Sequence, residues 1–174
     1  MDAIARIRAA IRDVPDFPKP GILFKDIMPV LQDPDLFHLA VDLYAERCKK
    51  VKATRIAAIE ARGLFFGGAV ADRLRIGLVP VRKKGKLPYK TFEESYALEY
   101  GTATLTIHQD GFAKGDRVVI MDDLLATGGT ALATAKLVER AGGKVAEMTF
   151  LIELGFLKGR EKLAGYNVYA PIAF

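Results

Sequence analysis

Two adjacent acids and a short run of small and hydroxyl residues are the groups most suited to binding a sugar phosphate. Asp122 and Asp123 are followed by a segment made of Ala126, Thr127, Gly128, Gly129 and Thr130. Glycines let a backbone approach an anion closely, and threonine hydroxyls can donate hydrogen bonds to phosphate oxygens. Carboxylates repel a phosphate but accept hydrogen bonds from ribose hydroxyls. The combination predicts a ribose 5-phosphate site, and an ordinary capped turn is the alternative.

The residues on either side indicate how this segment is held. Val118 to Met121 is an unbroken apolar run rich in β-branched residues, which is typical of a strand buried on both faces of a parallel sheet. After Thr130 apolar residues recur at helical spacing as far as Gly142 and Gly143. The acids and the Gly/Thr segment are therefore predicted to lie on a strand-to-helix turn, where free N–H groups favour an anion.

A second turn of the same kind carries an arginine. The sequence predicts a strand over 55–59 and a helix over 63–74, so that Glu60 and Arg62 lie between them. Such turns meet at one edge of a parallel sheet, and a guanidinium there can hold a diphosphate through two parallel hydrogen bonds. A surface ion pair between Arg62 and Glu60 is the alternative interpretation.

The densest group of cations follows the next predicted strand. Arg82, Lys83, Lys84 and Lys86 fall within five residues. A solvated basic loop would explain them, but a diphosphate also needs several cations, and Arg82 and Lys86 are the predicted contacts.

The net charge of +5 and a pI near 9.3 would permit nucleic-acid binding. Because the cations are concentrated in one short loop, no nucleic-acid partner is predicted.

Length and pattern favour one α/β domain over residues 1–174. The chain is 51% hydrophobic and 27% charged, and its predicted strands alternate with helices. We therefore expect a doubly wound, mainly parallel central sheet flanked by helices.

A lone cysteine, Cys48, allows no intramolecular disulfide and fits a reducing cytoplasm. No apolar run has the length of a membrane span and no signal-peptide core is present, so no membrane partner is predicted.

The segment from Val118 to Thr130 resembles the phosphoribosyl-diphosphate binding motif of the type I phosphoribosyltransferases: four apolar residues, two acids and a Thr/Gly-rich loop. Residues 17–27 are similar to that family's N-terminal purine loop, and residues 95–101 to its mobile active-site loop. The resemblance implies the family's fold, with a small N-terminal hood region. It also implies a cis peptide bond between Glu60 and Arg62.

The resemblance further implies roles for residues outside the motif. The expected adenine contacts are Leu23, Phe24, Lys25 and Leu124. Phe24 would stack on the base opposite Leu124, and the backbone at Leu23 and Lys25 would recognise its amino edge. Glu99 would handle a proton on the purine, and Arg62, Arg82 and Lys86 would hold pyrophosphate, so that Glu99 and Arg62 are the expected catalytic residues. Core packing for Phe24 and an exposed strand position for Glu99 are the alternatives.

The activity implied is transfer of the 5-phosphoribosyl group from 5-phosphoribosyl 1-diphosphate to adenine, giving AMP and pyrophosphate in purine salvage. Mg²⁺ would be held mainly by the substrate diphosphate and water, with no metal site made by protein residues. A homodimer in the cytoplasm is expected. Two alternatives remain: a phosphoribosyltransferase for hypoxanthine, guanine or xanthine, and a non-catalytic regulator that senses purine or phosphoribosyl diphosphate.

Overall fold

The buried apolar runs 55–59 and 118–121 form the centre of a seven-stranded sheet in the computed structural model, which describes residues 2–97 and 101–174. The chain divides into two units, Met1–Leu43 and Tyr44–Phe174. In chain order the helices in the described residues are α1 (Ala3–Ala10), α2 (Met28–Gln32), α3 (Pro34–Lys50), α4 (Gly63–Leu74), α5 (Gly129–Arg140) and α6 (Gly159–Lys162). The strands are β1 (Arg12–Pro15), β2 (Leu23–Asp26), β3 (Arg55–Ile59), β4 (Gly77–Lys83), β5 (Thr91–Ala97), β6 (Thr102–His108), β7 (Arg117–Met121), β8 (Leu124–Leu125), β9 (Lys144–Thr149), β10 (Ile152–Glu153), β11 (Val168–Tyr169) and β12 (Ile172–Ala173).

The first unit contains an antiparallel hairpin that the sequence did not predict. Strands β1 and β2 pair with Val14 opposite Phe24. Two ion pairs cross this hairpin, Arg12 to Asp26 at 2.5 Å and Lys25 to Asp13 at 2.6 Å. Residues 23–26, at the end of the segment that is similar to the family's purine loop, therefore form strand β2, which pairs with β1 of the same unit.

The large sheet of the second unit has the strand order β11-β9-β7-β3-β4-β6-β5. Strands β11, β9, β7, β3 and β4 are parallel, whereas β6 and β5 form an antiparallel hairpin at one edge. Strands β3 and β7 are almost wholly buried after their first residue, in agreement with their unbroken apolar sequences. The edge strand β5 alternates between exposed and partly covered residues, whereas β6 contains three consecutive buried residues.

Helices cover both faces of the large sheet, which confirms the doubly wound prediction. Gly67 of α4 packs against Ala58, and alternation along β3 places Ala57 on the other face, where the core cluster includes Ala135 and Leu137 of α5. On the α4 side, the rings of Tyr44 and Phe66 lie 5.1 Å apart. The glycine in α4 lets helix and strand backbones approach closely.

A buried ion pair joins the end of α3 to β9. Glu147 is only 3% exposed, and its carboxylate accepts two hydrogen bonds from the Arg47 guanidinium, with Nε to Oε1 at 2.9 Å. The guanidinium also lies 4.4 Å from the centre of the Tyr169 ring. A buried carboxylate needs such a bidentate partner, so this pair fixes the position of α3 on the sheet.

The structure differs from the sequence prediction after β7 and β9. The apolar run over 145–152 predicts a single strand, but β9 ends at Thr149, because Leu151 and Ile152 instead donate their amides to the Asp123 carbonyl at 3.1 and 2.9 Å. Strand β10 then pairs with β8 and β12 in a separate three-stranded parallel sheet. The acids are thus separated from α5 by a two-residue strand and do not lead directly into the helix.

Other predictions have simpler outcomes. The predicted strand 55–59 and helix 63–74 match β3 and α4, and the helix predicted from residue 33 or 34 to about 50 matches α3. In the part of the chain that the structure describes, no helix is long and apolar enough to cross a bilayer. The single domain over 1–174 stays a prediction.

Substitutions of two neighbouring glycines in α4 test the close contact between α4 and β3. A Cβ at Gly67 would lie 2.5 Å from the Ala58 Cβ, whereas a Cβ at Gly68 would have no neighbour within 4 Å. Gly67→Ala should lower the free energy of unfolding by about 1–3 kcal/mol through overpacking, less any helix gain. Gly68→Ala, the matched control, should raise it by about 0.5–1 kcal/mol. Urea unfolding measures both, and equal stability of the two variants would contradict the proposed contact.

Candidate active site

The site forms where the strand order of the large sheet reverses. From β3 the chain continues to β4 on one side, while β7 is followed by β9 and β11 on the other side. Strands β3 and β7 are adjacent and in register, with Ala58 opposite Met121. The turns that follow them therefore open into one crevice, as ligand sites do at the switch point of α/β sheets.

The two acids lie directly beyond β7 and are held by their backbone. The Asp122 amide donates to the Thr149 carbonyl at 3.1 Å, and the Tyr44 hydroxyl donates to the Asp122 carbonyl at 2.7 Å. The Asp123 amide donates to the Asp122 Oδ1 at 2.9 Å. Asp123 is only 4% exposed, so its carboxylate is aimed into the protein and the crevice, not into bulk solvent.

The environment of Asp122 favours its neutral form. Burial and then the negative charge of Asp123 raise the pKa of the Asp122 carboxyl well above its ordinary value. Two adjacent carboxylates cannot both be ionised at low cost when they are withdrawn from water. At least one of the pair is therefore better suited to carry a proton than an isolated surface aspartate.

Arg62 is the partner of Asp123. Its Nε donates to the Asp123 Oδ2 at 2.6 Å, across the boundary between the two turns. Gly63 makes this approach possible, because a Cβ there would lie 2.7 Å from the Met121 carbonyl oxygen. The Glu60–Ala61 peptide bond is cis, within the interval where one was predicted.

Glu60 is bound by the basic segment that begins at the end of β4. The Arg82 Nε donates to one Glu60 oxygen at 2.7 Å and the Lys83 amide to the other at 2.9 Å. Although partial burial opposes the shift, these hydrogen bonds lower the pKa of Glu60. The Arg82 guanidinium also lies 3.4 Å from the Lys86 carbonyl oxygen, whereas the Lys84 ammonium pairs with Glu93 at 2.8 Å.

The predicted phosphate-binding segment lines a pocket that also contains Asp122 and Leu124. Gly128 has φ +79°, and Gly129 and Thr130 begin α5. A Cβ at Gly128 would lie 2.5 Å from the Gly159 carbonyl oxygen, and a Cβ at Gly159 would meet the Ala126 carbonyl oxygen. The loop is therefore held by direct backbone contact with the start of α6, at two positions that only glycine can occupy.

Tyr96 is a site residue that the sequence did not identify. The Thr130 hydroxyl donates to the Tyr96 hydroxyl at 3.0 Å, and the Tyr96 ring is 3.2 Å from the position that a Gly129 Cβ would take. The period-two pattern before Gly101 predicts that Tyr96 lies in a strand, and β5 contains it. It could not show that this strand passes beside α5.

The predicted adenine contacts belong to different units. In the first unit Phe24 lies edge-on to Phe17 with ring centres 5.1 Å apart, and Leu23 is 49% exposed. Leu124 lies in β8 of the second unit. Glu99 falls outside the described residues, so its predicted role stays a prediction.

The raised pKa of Asp122 predicts a pH-dependent effect of Asp122→Asn. An Asp in the unfolded chain titrates near about 3.9, so the folded protein binds this proton more tightly and the wild type loses stability as pH rises through the folded pKa. Asparagine does not titrate and can still accept from the Asp123 amide. The stability of Asp122→Asn relative to wild type should therefore rise as the pH increases above about 3.9 towards the folded-state pKa of Asp122. Denaturant unfolding measures this difference, and a constant difference would contradict the shift.

The comparisons with known proteins agree with this geometry. Residues 31–165 match the phosphoribosyl transferase domain family. The adenine phosphoribosyltransferase of Thermosipho melanesiensis is 52% identical over 168 residues, which cover 97% of this chain and 96% of the relative.

Two solved structures extend the likeness to the whole fold. The crystal structure of adenine phosphoribosyltransferase from Thermoanaerobacter pseudethanolicus has a TM-score of 0.95 at 53% identity, covering 98% of this chain and 99% of that one. The enzyme from Saccharomyces cerevisiae, solved with an imino-altritol bisphosphate and adenine, has a TM-score of 0.92 at 38% identity, covering 98% of both chains. The chain therefore belongs to the phosphoribosyltransferase family and, within it, to the adenine phosphoribosyltransferases.

Proposed function

We propose that this chain transfers the 5-phosphoribosyl group from 5-phosphoribosyl 1-diphosphate to adenine, giving AMP and pyrophosphate in purine salvage. The observation that carries this proposal is the ion pair between Arg62 and Asp123 beside the Gly/Thr loop. A guanidinium, a carboxylate and a Gly/Thr loop that come together in this way support the binding of a ribose phosphate that carries a diphosphate. The yeast relative named above was solved with adenine, which supports the choice of base.

The ribose 5-phosphate half of the substrate would lie along the segment after β7. The phosphate would accept hydrogen bonds from the first N–H groups of α5 and from the hydroxyls of Thr127 and Thr130, where the helix dipole also favours an anion. Asp122 and Asp123 would accept hydrogen bonds from the ribose hydroxyls. The charge of the Asp123 carboxylate would also stabilise the positive charge that develops at the anomeric carbon.

The diphosphate would bind the cations on the other side of the crevice. Arg62 and Arg82 are each paired with an acid in the described structure, Asp123 and Glu60 respectively. Binding of a diphosphate would let Arg62 turn to a phosphate oxygen while Asp123 turns to the ribose. Arg82 and Lys86 would add charge from the neighbouring loop, so that the leaving group is neutralised as the bond to the sugar breaks.

In the chemical step a ring nitrogen of adenine would form the new bond to the anomeric carbon as the bond to diphosphate breaks. The proton lost from the purine ring would pass to Glu99, and Phe24 would stack on the base, opposite Leu124. Backbone groups at Leu23 and Lys25 would recognise the amino edge. These assignments rest on similarity to the family's purine loop and mobile loop.

Mg²⁺ is proposed to accompany the diphosphate and to reduce its negative charge. Among the described residues no group of three or more His, Cys, Asp or Glu side chains could hold a metal. The crevice offers hard carboxylate oxygens from Asp122 and Asp123, which fits an ion that keeps most of its water and substrate ligands. We also propose a homodimer in the cytoplasm.

The choice of base can be tested with purified protein, 5-phosphoribosyl 1-diphosphate and Mg²⁺. Adenine should yield AMP at a kcat/KM at least about tenfold above that for hypoxanthine, guanine or xanthine, because a site that pairs with an amino group leaves polar groups unpaired with an oxo base. Chromatography of the nucleotide products measures this. IMP formation without AMP would contradict the proposed base, and binding of adenine with no nucleotide formed would favour the sensing regulator.

Arg62→Ala tests the diphosphate site, with Lys84→Ala as a control that removes the same charge from a residue paired elsewhere. Loss of a charged hydrogen bond should lower kcat/KM for 5-phosphoribosyl 1-diphosphate by about tenfold to a hundredfold in Arg62→Ala. Lys84→Ala should stay within about twofold of wild type, as expected for an exposed ion pair. Initial rates give both values, with folding checked by thermal unfolding. Equal rates in the two variants would argue against the assignment of Arg62.

A further inference from the structure

A pair of hydroxyl groups connects the edge hairpin to the phosphate-binding segment. The Tyr96 oxygen lies 3.0 Å from the Thr130 Oγ1, and in the described arrangement the threonine donates. Thr130 is the second residue of α5, among the residues proposed to bind the 5-phosphate. The one donor hydrogen of Thr130 is therefore used for Tyr96 and is not available to a phosphate oxygen in this arrangement.

A bound phosphate would reverse this hydrogen bond. A hydroxyl group has one donor hydrogen, so Thr130 cannot donate to Tyr96 and to a phosphate oxygen with the same hydrogen. When Thr130 turns its hydrogen to the phosphate, its oxygen is free to accept from the Tyr96 hydroxyl, which rotates about its C–O bond. A hydroxyl that accepts a hydrogen bond becomes a stronger donor, because successive hydrogen bonds polarise one another.

The rest of Tyr96 is held so that only its hydroxyl has to move. Tyr96 pairs with Ala103 in the β5–β6 hairpin, and its ring packs against the core cluster. The same ring is 3.2 Å from the position of a Cβ at Gly129, so a larger residue there would displace it. The tyrosine oxygen is thus placed beside Thr130 by strand pairing and by packing on both sides.

We propose that Tyr96 is a positioning residue for the 5-phosphate of the substrate and acts through Thr130 by donating to its hydroxyl when the phosphate is bound. This inference rests on the proposed phosphoribosyl site and adds a residue outside the Asp/Gly/Thr motif. It gives the hairpin a direct part in binding the phosphate. Adenine binding is not part of this hydrogen-bond chain.

Tyr96→Phe removes the hydroxyl and keeps the ring, and Tyr166→Phe is the matched control. Tyr166 also has a partly buried ring against the core cluster, and its hydroxyl donates to Glu139 at 3.0 Å, away from the segment 126–130. Loss of one neutral hydrogen bond in Tyr96→Phe should raise KM for 5-phosphoribosyl 1-diphosphate and Kd for ribose 5-phosphate by about fivefold, with KM for adenine unchanged. Tyr166→Phe should leave all three values at the wild-type level. Rate measurements and calorimetry with ribose 5-phosphate provide them.

A double-mutant cycle separates the proposed chain from a structural effect. In a Thr130→Val background, Tyr96→Phe should change KM and Kd by less than about twofold, because the intermediate hydroxyl has been removed. Additive effects of the two substitutions, or an equal rise in KM for adenine, would overturn the inference. If the wild type forms no AMP, the proposed reaction fails, and the ribose 5-phosphate Kd still decides: a weaker Tyr96→Phe supports the role of Tyr96 and an unchanged one refutes it.

Discussion

The parallel pairing of β3 with β7 is the constraint on which the site depends. Because the strand order reverses between these two strands, their turns open into the same crevice, and Arg62 from one turn reaches Asp123 from the other at 2.6 Å. Gly63 is needed at the same place, since a Cβ there would meet the Met121 carbonyl oxygen. A shift of one residue in this pairing would turn the side chains of the shifted strand to the opposite face, and the acid and the guanidinium would no longer meet.

The electrostatics of the crevice reconcile two requirements that conflict. A phosphate-binding site favours positive potential, whereas a sugar that develops positive charge favours carboxylates. The chain meets both by pairing Asp123 with Arg62 and Glu60 with Arg82, so that neither acid presents an uncompensated charge before a ligand arrives. Burial and the charge of Asp123 also raise the pKa of Asp122. When Arg62 turns to the diphosphate in the proposed reaction, the buried Asp123 carboxylate would turn to the ribose hydroxyls, so that its charge would not be left without a partner.

Much of this arrangement could be predicted from the sequence, because strands β3 and β7 and helices α3 and α4 are encoded by local apolar patterns. The acids, Arg62 and the Gly/Thr segment were predicted because strand-to-helix turns at one sheet edge have a fixed geometry. Strand β8 could not be predicted, since Leu124 and Leu125 form a strand only by pairing with Ile152 and Glu153. For the same reason the contacts of Tyr96 with Thr130 and of Gly128 with Gly159 were missed: each joins residues more than thirty positions apart, and neither partner has a distinctive local pattern.

The proposed site is supported by two separate parts of the fold. The diphosphate side is built on the large sheet, through the turn after β3 and the ion pair of Arg82 with Glu60. The phosphate loop is held differently: by the small sheet through β8, by the backbone of Gly159, and by the edge hairpin through Tyr96. A loop that carries glycines with free N–H groups has little side-chain packing of its own, so its shape must come from neighbouring backbone. The residues after β9 therefore support the shape of the proposed phosphate loop through backbone contacts, with Ile152 paired beside Leu124 and Gly159 lying against Gly128.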